Sequence, residues 1–141
     1  MANYGERLND LLFERKISPE KLSEDLSVSL STVYRWKNNE ADFFLSNLIA
    51  LADYFRCSAD LILCRSEDYS DYPPKQCPPF SQRLRAVMRE KGMSTYKLRK
   101  NTRYDGKYFN NWDKGADPLA STLIELAAIL DCSVDYLLGR E

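Results

Sequence analysis

Apolar side chains recur three and four residues apart along most of the chain, the period of a buried helix face, and little of it reads as strand. From Tyr4 to Lys16, Leu8, Leu11, Leu12 and Arg15 keep helical spacing; Phe80 to Lys91 repeats this with Leu84, Val87 and Met88. Ser18-Pro19-Glu20-Lys21 is a helix start. The serine supplies an N-cap oxygen, proline suits the first turn, and the glutamate sits near the positive end of the helix dipole. Leu22 and Leu26 then share a face. Ser29 is expected to cap a short helix running to Asn38 that buries Val33 and Trp36, and Asp105 a matching helix that buries Phe109 and Trp112. Asn47 to Phe55 and Ser121 to Leu130 read as apolar helices. Ser58 and Ser133 cap a last short helix, ending near Arg65 and at Gly139.

These elements come twice. Displaced by 76 residues, Arg7-Leu8 falls on Arg83-Leu84, Ser18, Lys21 and Leu22 fall on Ser94, Lys97 and Leu98, and Trp36 falls on Trp112, so the only two tryptophans coincide. Farther on the displacement is 75: Leu48-Ile49 meets Leu123-Ile124, Cys57-Ser58 meets Cys132-Ser133, Asp60 meets Asp135 and Arg65 meets Arg140. The chain therefore reads as a tandem repeat: an all-α protein of two five-helix domains, residues 1–66 and 80–141, around a linker at 67–79. The stretch from Ser66 to Pro79 holds two Pro-Pro pairs, which exclude a helix and favour a stiff, partly extended chain.

In each copy helices two and three are separated by only three residues, Ser27-Val28-Ser29 or Arg103-Tyr104-Asp105. Two short helices joined so tightly make a helix-turn-helix. The exposed side of the second helix carries Leu30, Ser31, Thr32, Tyr34 and Arg35 in copy one, and Gly106, Lys107, Tyr108, Asn110 and Asn111 in copy two. Most are hydrogen-bonding side chains of the kind that meet base edges and phosphates.

Both copies resemble the lambda-repressor-like helix-turn-helix domain, the Cro/C1 or Xre type of bacterial and phage regulators. The likeness is carried by Lys21 to Ser29, Ser31 to Asn38, Leu48 to Phe55 and Cys57 to Leu63 in copy one. In copy two it is carried by Tyr96-Lys97-Leu98, Asn110 to Gly115 and Ser133 to Gly139. The resemblance implies a sequence-specific, double-stranded-DNA-binding transcriptional regulator, repressor-like and cytoplasmic. It implies DNA contacts from Ser29, Ser31, Thr32, Tyr34 and Arg35 and from Arg103, Lys107, Tyr108, Asn110 and Asn111, with phosphate contacts from Lys97, Lys100 and Lys114. Two half-sites would be met by a homodimer or by one chain acting as an intramolecular pseudo-dimer.

Several positions depart from the family pattern. The Gln expected at the start of helix two is Pro19 or Thr95, so copy one lacks that phosphate brace. The small residue of helix two is Ser23 but Arg99. The glycine of the turn is Ser27 but Arg103, and an arginine there needs a path to solvent, so copy two's motif is expected to be angled differently. After the recognition helix Gly115 is matched by Asn39, which tolerates the same left-handed backbone.

Charge separates the copies. The whole chain is near neutral, with 20 basic and 21 acidic residues, but the window 80–115 gathers Arg83, Arg85, Arg89, Lys91, Lys97, Arg99, Lys100, Arg103, Lys107 and Lys114 against Glu90, Asp105 and Asp113. Phosphate attraction scales with the charges neutralised, so copy two is the stronger candidate for DNA and copy one the natural candidate for self-association or protein contact. The adjacent Phe43 and Phe44 fit that second role, since a short loop does not readily bury both, and a core role for one of them fits equally well. Acidic pairs such as Glu24-Asp25 and Glu67-Asp68 read as solvent-facing. The absence of histidine and of a Gly-rich phosphate loop argues against an enzyme, and no cofactor, metal, membrane or small-molecule ligand is expected. The N-terminal Met1-Ala2-Asn3-Tyr4 does not resemble a signal peptide. Cys57, Cys64, Cys77 and Cys132 lack zinc spacing and read as free, mostly buried thiols.

Overall fold

The computed structural model describes residues 3–141; Met1 and Ala2, the start of the N-terminal string, lie outside the described residues. The described residues form ten helices and no strand. They divide into two compact units, Met1–Pro74 and Lys75–Glu141.

Unit 1 contains α1 (Tyr4–Arg15), α2 (Pro19–Leu26), α3 (Leu30–Lys37), α4 (Leu45–Phe55) and α5 (Ala59–Ile62). The starts are set by short polar side chains. Ser18, Ser29 and Ser58 each accept a hydrogen bond from the backbone N–H three residues on, at 3.1, 3.1 and 3.0 Å. Leu8, Leu11, Leu22, Val33, Trp36, Leu48, Leu51 and Phe55 meet in one core. α4 begins two residues earlier than its apolar run indicated, and α5 stops at Ile62, short of Arg65. Phe43 belongs to the core, stacked on Tyr4 at 5.8 Å and edge-on to Trp36 at 5.3 Å, while Phe44 stays exposed.

Helices α1 and α3 approach so closely that Gly5 has no room for a side chain: a Cβ there would lie 2.8 Å from the carbonyl carbon of Lys37 and the carbonyl oxygen of Trp36, and nearer still to the Lys37 oxygen. Asn39 adopts the left-handed backbone (φ 58°), as its glycine counterpart Gly115 does. From there its side chain accepts the Gly5 N–H at 2.9 Å and donates to Asn3 Oδ1 at 2.7 Å.

Unit 2 contains α6 (Phe80–Glu90), α7 (Thr95–Asn101), α8 (Gly106–Asp113), α9 (Ala120–Ile129) and α10 (Val134–Leu138). Leu84, Val87, Leu98, Phe109, Trp112, Leu123, Leu126 and Leu137 fill its core. Arg7 and Arg83, equivalent in the repeat, do the same work in each unit. Arg7 Nη1 donates to the Leu61 carbonyl at 2.6 Å, and Arg83 Nη2 to the Tyr136 carbonyl at 2.5 Å, tying the first helix to the fifth.

Residues 66–79 are not helical, but they are not wholly a free linker. Arg7 also donates to the Ser66 carbonyl at 3.1 Å and pairs with Glu67 at 2.7 Å, with its guanidinium 5.5 Å from the Tyr69 ring. Arg56 grips Asp71 with two hydrogen bonds of 2.8 and 2.9 Å, and the Tyr72 N–H donates to the Arg56 carbonyl at 2.9 Å. Residues 66–74 are thus strapped across unit 1. Of the four cysteines only Cys57 is buried; the other three are partly exposed, so the expectation of mostly buried thiols fails. No helix among the described residues is long and apolar enough to cross a membrane.

Candidate nucleic-acid interface

In unit 2 the short helix α8 is started by Asp105, whose carboxylate accepts from the N–H groups of Lys107 at 3.0 Å and Tyr108 at 3.4 Å. Phe109 and Trp112 point inward. That rotation places Lys107, Asn110 and Asn111 on the outer face, with Lys114 at the C-cap extending the same row; all four are exposed. Tyr108 flanks the row. It is 43% exposed, with its ring edge-on to Tyr104 at 5.0 Å. On α7, Lys97 and Lys100 are exposed, one turn apart. Among the described residues neither lysine, nor Lys107 or Lys114, has a side-chain ion pair.

Not every base of the window 80–115 joins this face. Arg83 is spent on the Tyr136 carbonyl, Arg85 pairs with Asp113 at 2.7 Å, and Lys91 donates to the Asp131 carbonyl at 3.2 Å. Arg103 does reach solvent, as an arginine in the turn must, and the backbone is rerouted to allow it. In unit 1 the turn is three residues with Ser27 left-handed (φ 56°), whereas unit 2 ends α7 one residue early, at Asn101, and crosses in four, with Thr102 extended (φ −138°). The Thr102 hydroxyl closes that turn: it donates to the Leu98 carbonyl at 2.9 Å and accepts the Tyr104 N–H at 3.1 Å.

Unit 1 has a corresponding helix pair, joined by the shorter turn, with different chemistry. Ser29 caps α3 and its hydroxyl lies 2.7 Å from that of Thr32, so both groups are partly engaged. Ser31, Tyr34 and Arg35 face outward; Thr32 is half-buried. Lys37 Nζ lies 4.9 Å from the Tyr34 ring, and Arg35 reaches back to the Glu40 carbonyl at 3.5 Å. On α2, Lys21 is held by Asp25 at 3.1 Å, and Asp25 also accepts from the Tyr54 hydroxyl at 2.5 Å. These two donors hold the Asp25 carboxyl below the usual carboxylate range. Glu24, Asp25, Glu67 and Asp68 are all exposed, as expected, and Asp25 and Glu67 are also engaged in ion pairs. Where unit 1 ties a lysine to an acid at position 25, unit 2 has Asn101, which bonds to its own helix through the Lys97 carbonyl at 2.8 Å and leaves the Lys97 ammonium unopposed.

Two residues of these surfaces escaped the sequence reading. Phe13 lies off the Leu8-Leu11-Leu12 stripe, on the polar side of α1, and is 88% exposed; its position outside the stripe was the available signal. Tyr104 is buried directly before α8, and nothing in the local pattern marks it as core.

The comparisons with known proteins bear on unit 1. The family model of the Cro/C1-type HTH DNA-binding domain matches residues 7–63. Comparison with curated proteins and with solved structures gives no significant match. The matched span runs from Arg7 through α1, the α2–α3 pair and α4 to the end of α5. Residues 7–63, less than half of the chain, are thus similar to a Cro/C1-type HTH DNA-binding domain.

Proposed function

We propose that the protein is a sequence-specific double-stranded-DNA-binding transcriptional regulator, repressor-like and of prokaryotic or phage type, and that Lys75–Glu141 is a second domain of the same kind. In this reading the outer face of α8 enters the major groove, with Lys107, Tyr108, Asn110 and Asn111 at base edges and Lys97, Lys100, Arg103 and Lys114 on phosphates. In unit 1, Ser29, Ser31, Thr32, Tyr34 and Arg35 of the α3 segment form the corresponding, weaker reader. A chain with two readers, or a homodimer of it, can hold two half-sites at a high effective concentration of the second contact.

The observation that carries the reading is the row of exposed, unpaired lysines on α7 and α8, set against the paired Lys21 and engaged Arg35 of unit 1. The test uses the full chain and measures duplex binding at several salt concentrations. Replacing Lys100 and Lys114 with Gln should flatten the log–log salt dependence by about two phosphate contacts, close to 0.9 each. Replacing Lys21 and Lys37 with Gln should change it by less than one. A protein that retains no duplex at low salt sinks the reading.

A second reading has its own support. Phe13 at 88% and Phe44 at 49% exposure leave large apolar rings on the acidic unit, as a protein-interaction or self-association surface would. Sedimentation of the chain and of its Phe13→Ser variant distinguishes self-association from a monomer that binds DNA.

A further inference from the structure

Four side chains that differ between the repeats form one network in unit 2. Arg103, Tyr104, Thr122 and Glu125 stand where unit 1 has Ser27, Val28, Asn47 and Ala50. Tyr104 is the centre. It lies in the turn before α8, 1% exposed, with its ring against Tyr108 at 5.0 Å and Trp112 at 5.7 Å along that helix. Its hydroxyl reaches α9, donating to Glu125 Oε2 at 2.7 Å and lying 3.0 Å from Thr122 Oγ1. Arg103 covers the outside: its guanidinium is 5.4 Å from the Tyr104 ring centre, Nη2 donates to the Tyr104 oxygen at 3.3 Å, and the same nitrogen is 3.9 Å from Glu125.

We infer that this cluster is a positioning device for the reading helix of unit 2, with Tyr104 as the positioning residue and Arg103 as the phosphate contact it aims. The inference rests on the DNA-binding reading proposed above. One end of the Tyr104 ring is packed on α8 and the other is hydrogen-bonded to α9, so the helix cannot roll without breaking a buried bond. The Arg103 side chain, 69% exposed, has its rear face on the ring and its front free for an anion. Arg103 also screens Glu125, a carboxylate that would otherwise repel phosphate beside the reading face. Unit 1 has none of these four groups, which fits a second reader tuned separately from the first.

The experiment uses the full chain, a duplex selected from a random pool, and a random duplex as reference. Tyr104→Phe keeps the ring and removes the hydroxyl. It should lower affinity for the selected duplex about 3- to 10-fold, the worth of one net hydrogen bond, with little change on the random duplex. Glu125→Gln should raise affinity for the random duplex and lower the selected-to-random ratio by a similar factor. Arg103→Ala should weaken both and remove about one phosphate contact from the salt dependence. A role confined to stability would move both affinities together. If the ratio stays within twofold of the parent for both Tyr104→Phe and Glu125→Gln, the inference is overturned while the DNA reading stands. If the parent shows no preferred duplex, both fall. Should Tyr104→Phe fail to fold, Glu125→Gln, at a half-exposed position, decides alone.

Discussion

Replacing Gly5 with alanine tests the packing that sets the angle of α3, and so the presentation of its outer face. The new Cβ would lie 2.8 Å from two backbone atoms of the α3 C-terminus, where ordinary contact begins at 3.4 Å. Neither obstacle is the flexible end of a side chain, and the Lys37 carbonyl oxygen is nearer still, so α1 must move off α3 by about 1 Å. That movement also stretches the 2.9 Å bond from the Gly5 N–H to Asn39, and with it the left-handed turn that follows α3. Alanine's helix propensity returns about 1 kcal/mol. Overpacking a tight contact costs about 1–3 kcal/mol, and rigid backbone on one side places this site at the upper end. The net loss is about 1–2 kcal/mol, or a fall of about 4–16 °C in the melting temperature of a unit this small. Trp36 lies at the contact, so its fluorescence in a Trp112→Phe background reports unit 1 alone. Ser81→Ala, the equivalent position in unit 2, is the control and should change little. If Gly5→Ala melts at or above its parent, the close approach does not govern the α1–α3 packing, and the argument fails.

Other consequences can be measured separately. Asn111→Ala should cost about 1–3 kcal/mol on a selected duplex if the side chain meets a base edge, and an equal loss on random DNA would make it a backbone contact instead. Asp105→Ala removes the α8 cap and should cost about 0.5–2 kcal/mol of stability by thermal unfolding, while raising affinity for random DNA because an acid leaves the face. Burial and then the Asp25 hydrogen bond push the Tyr54 hydroxyl up to about 12. A raised folded value means the contribution is intact below pH 10 and is lost as pH rises towards 12. Denaturant midpoints of unit 1 should therefore fall through that window, and Tyr54→Phe should reduce the slope, leaving the part due to Tyr4, whose hydroxyl burial also pushes up.

The elements were legible because they rest on local rules. Serine and aspartate caps, leucine spacing and the coincidence of the two tryptophans placed the helix starts within two residues. Asn39 was readable as a glycine surrogate, because only the backbone conformation mattered there. What escaped depends on partners far along the chain. The division between Phe43 and Phe44 is decided by Tyr4 and Trp36, nearly forty and seven residues before Phe43 respectively. The arginine at the turn announced a departure, but not that α7 would give up its last residue and Thr102 would close a longer crossing. Counting basic residues did not show which of them have partners within the fold, since Arg83 and Arg85 look like any others in sequence and are committed to a carbonyl and to Asp113. The strap at residues 66–74 was read from its prolines only as a stiff linker, because its anchors, Arg7 and Arg56, belong to unit 1, whose local pattern is explained without it.

That strap bears on how the protein comes apart under a protease. A peptide bond must be drawn out into an extended, accessible strand before it can be cleaved. The bond after Arg65 is held from both sides: its arginine is paired with Asp60 at 3.4 Å, and the next carbonyl accepts from Arg7. The bond after Lys75 is held more weakly, by a 3.6 Å contact from the Cys77 thiol to its carbonyl, and its lysine is exposed. Trypsin should therefore make its first cut at Lys75, and the N-terminal product should keep the acidic segment bound to its own helices. Dissection at residue 66 would instead remove the partners of Arg7 and Arg56 and leave one buried guanidinium without its carboxylate.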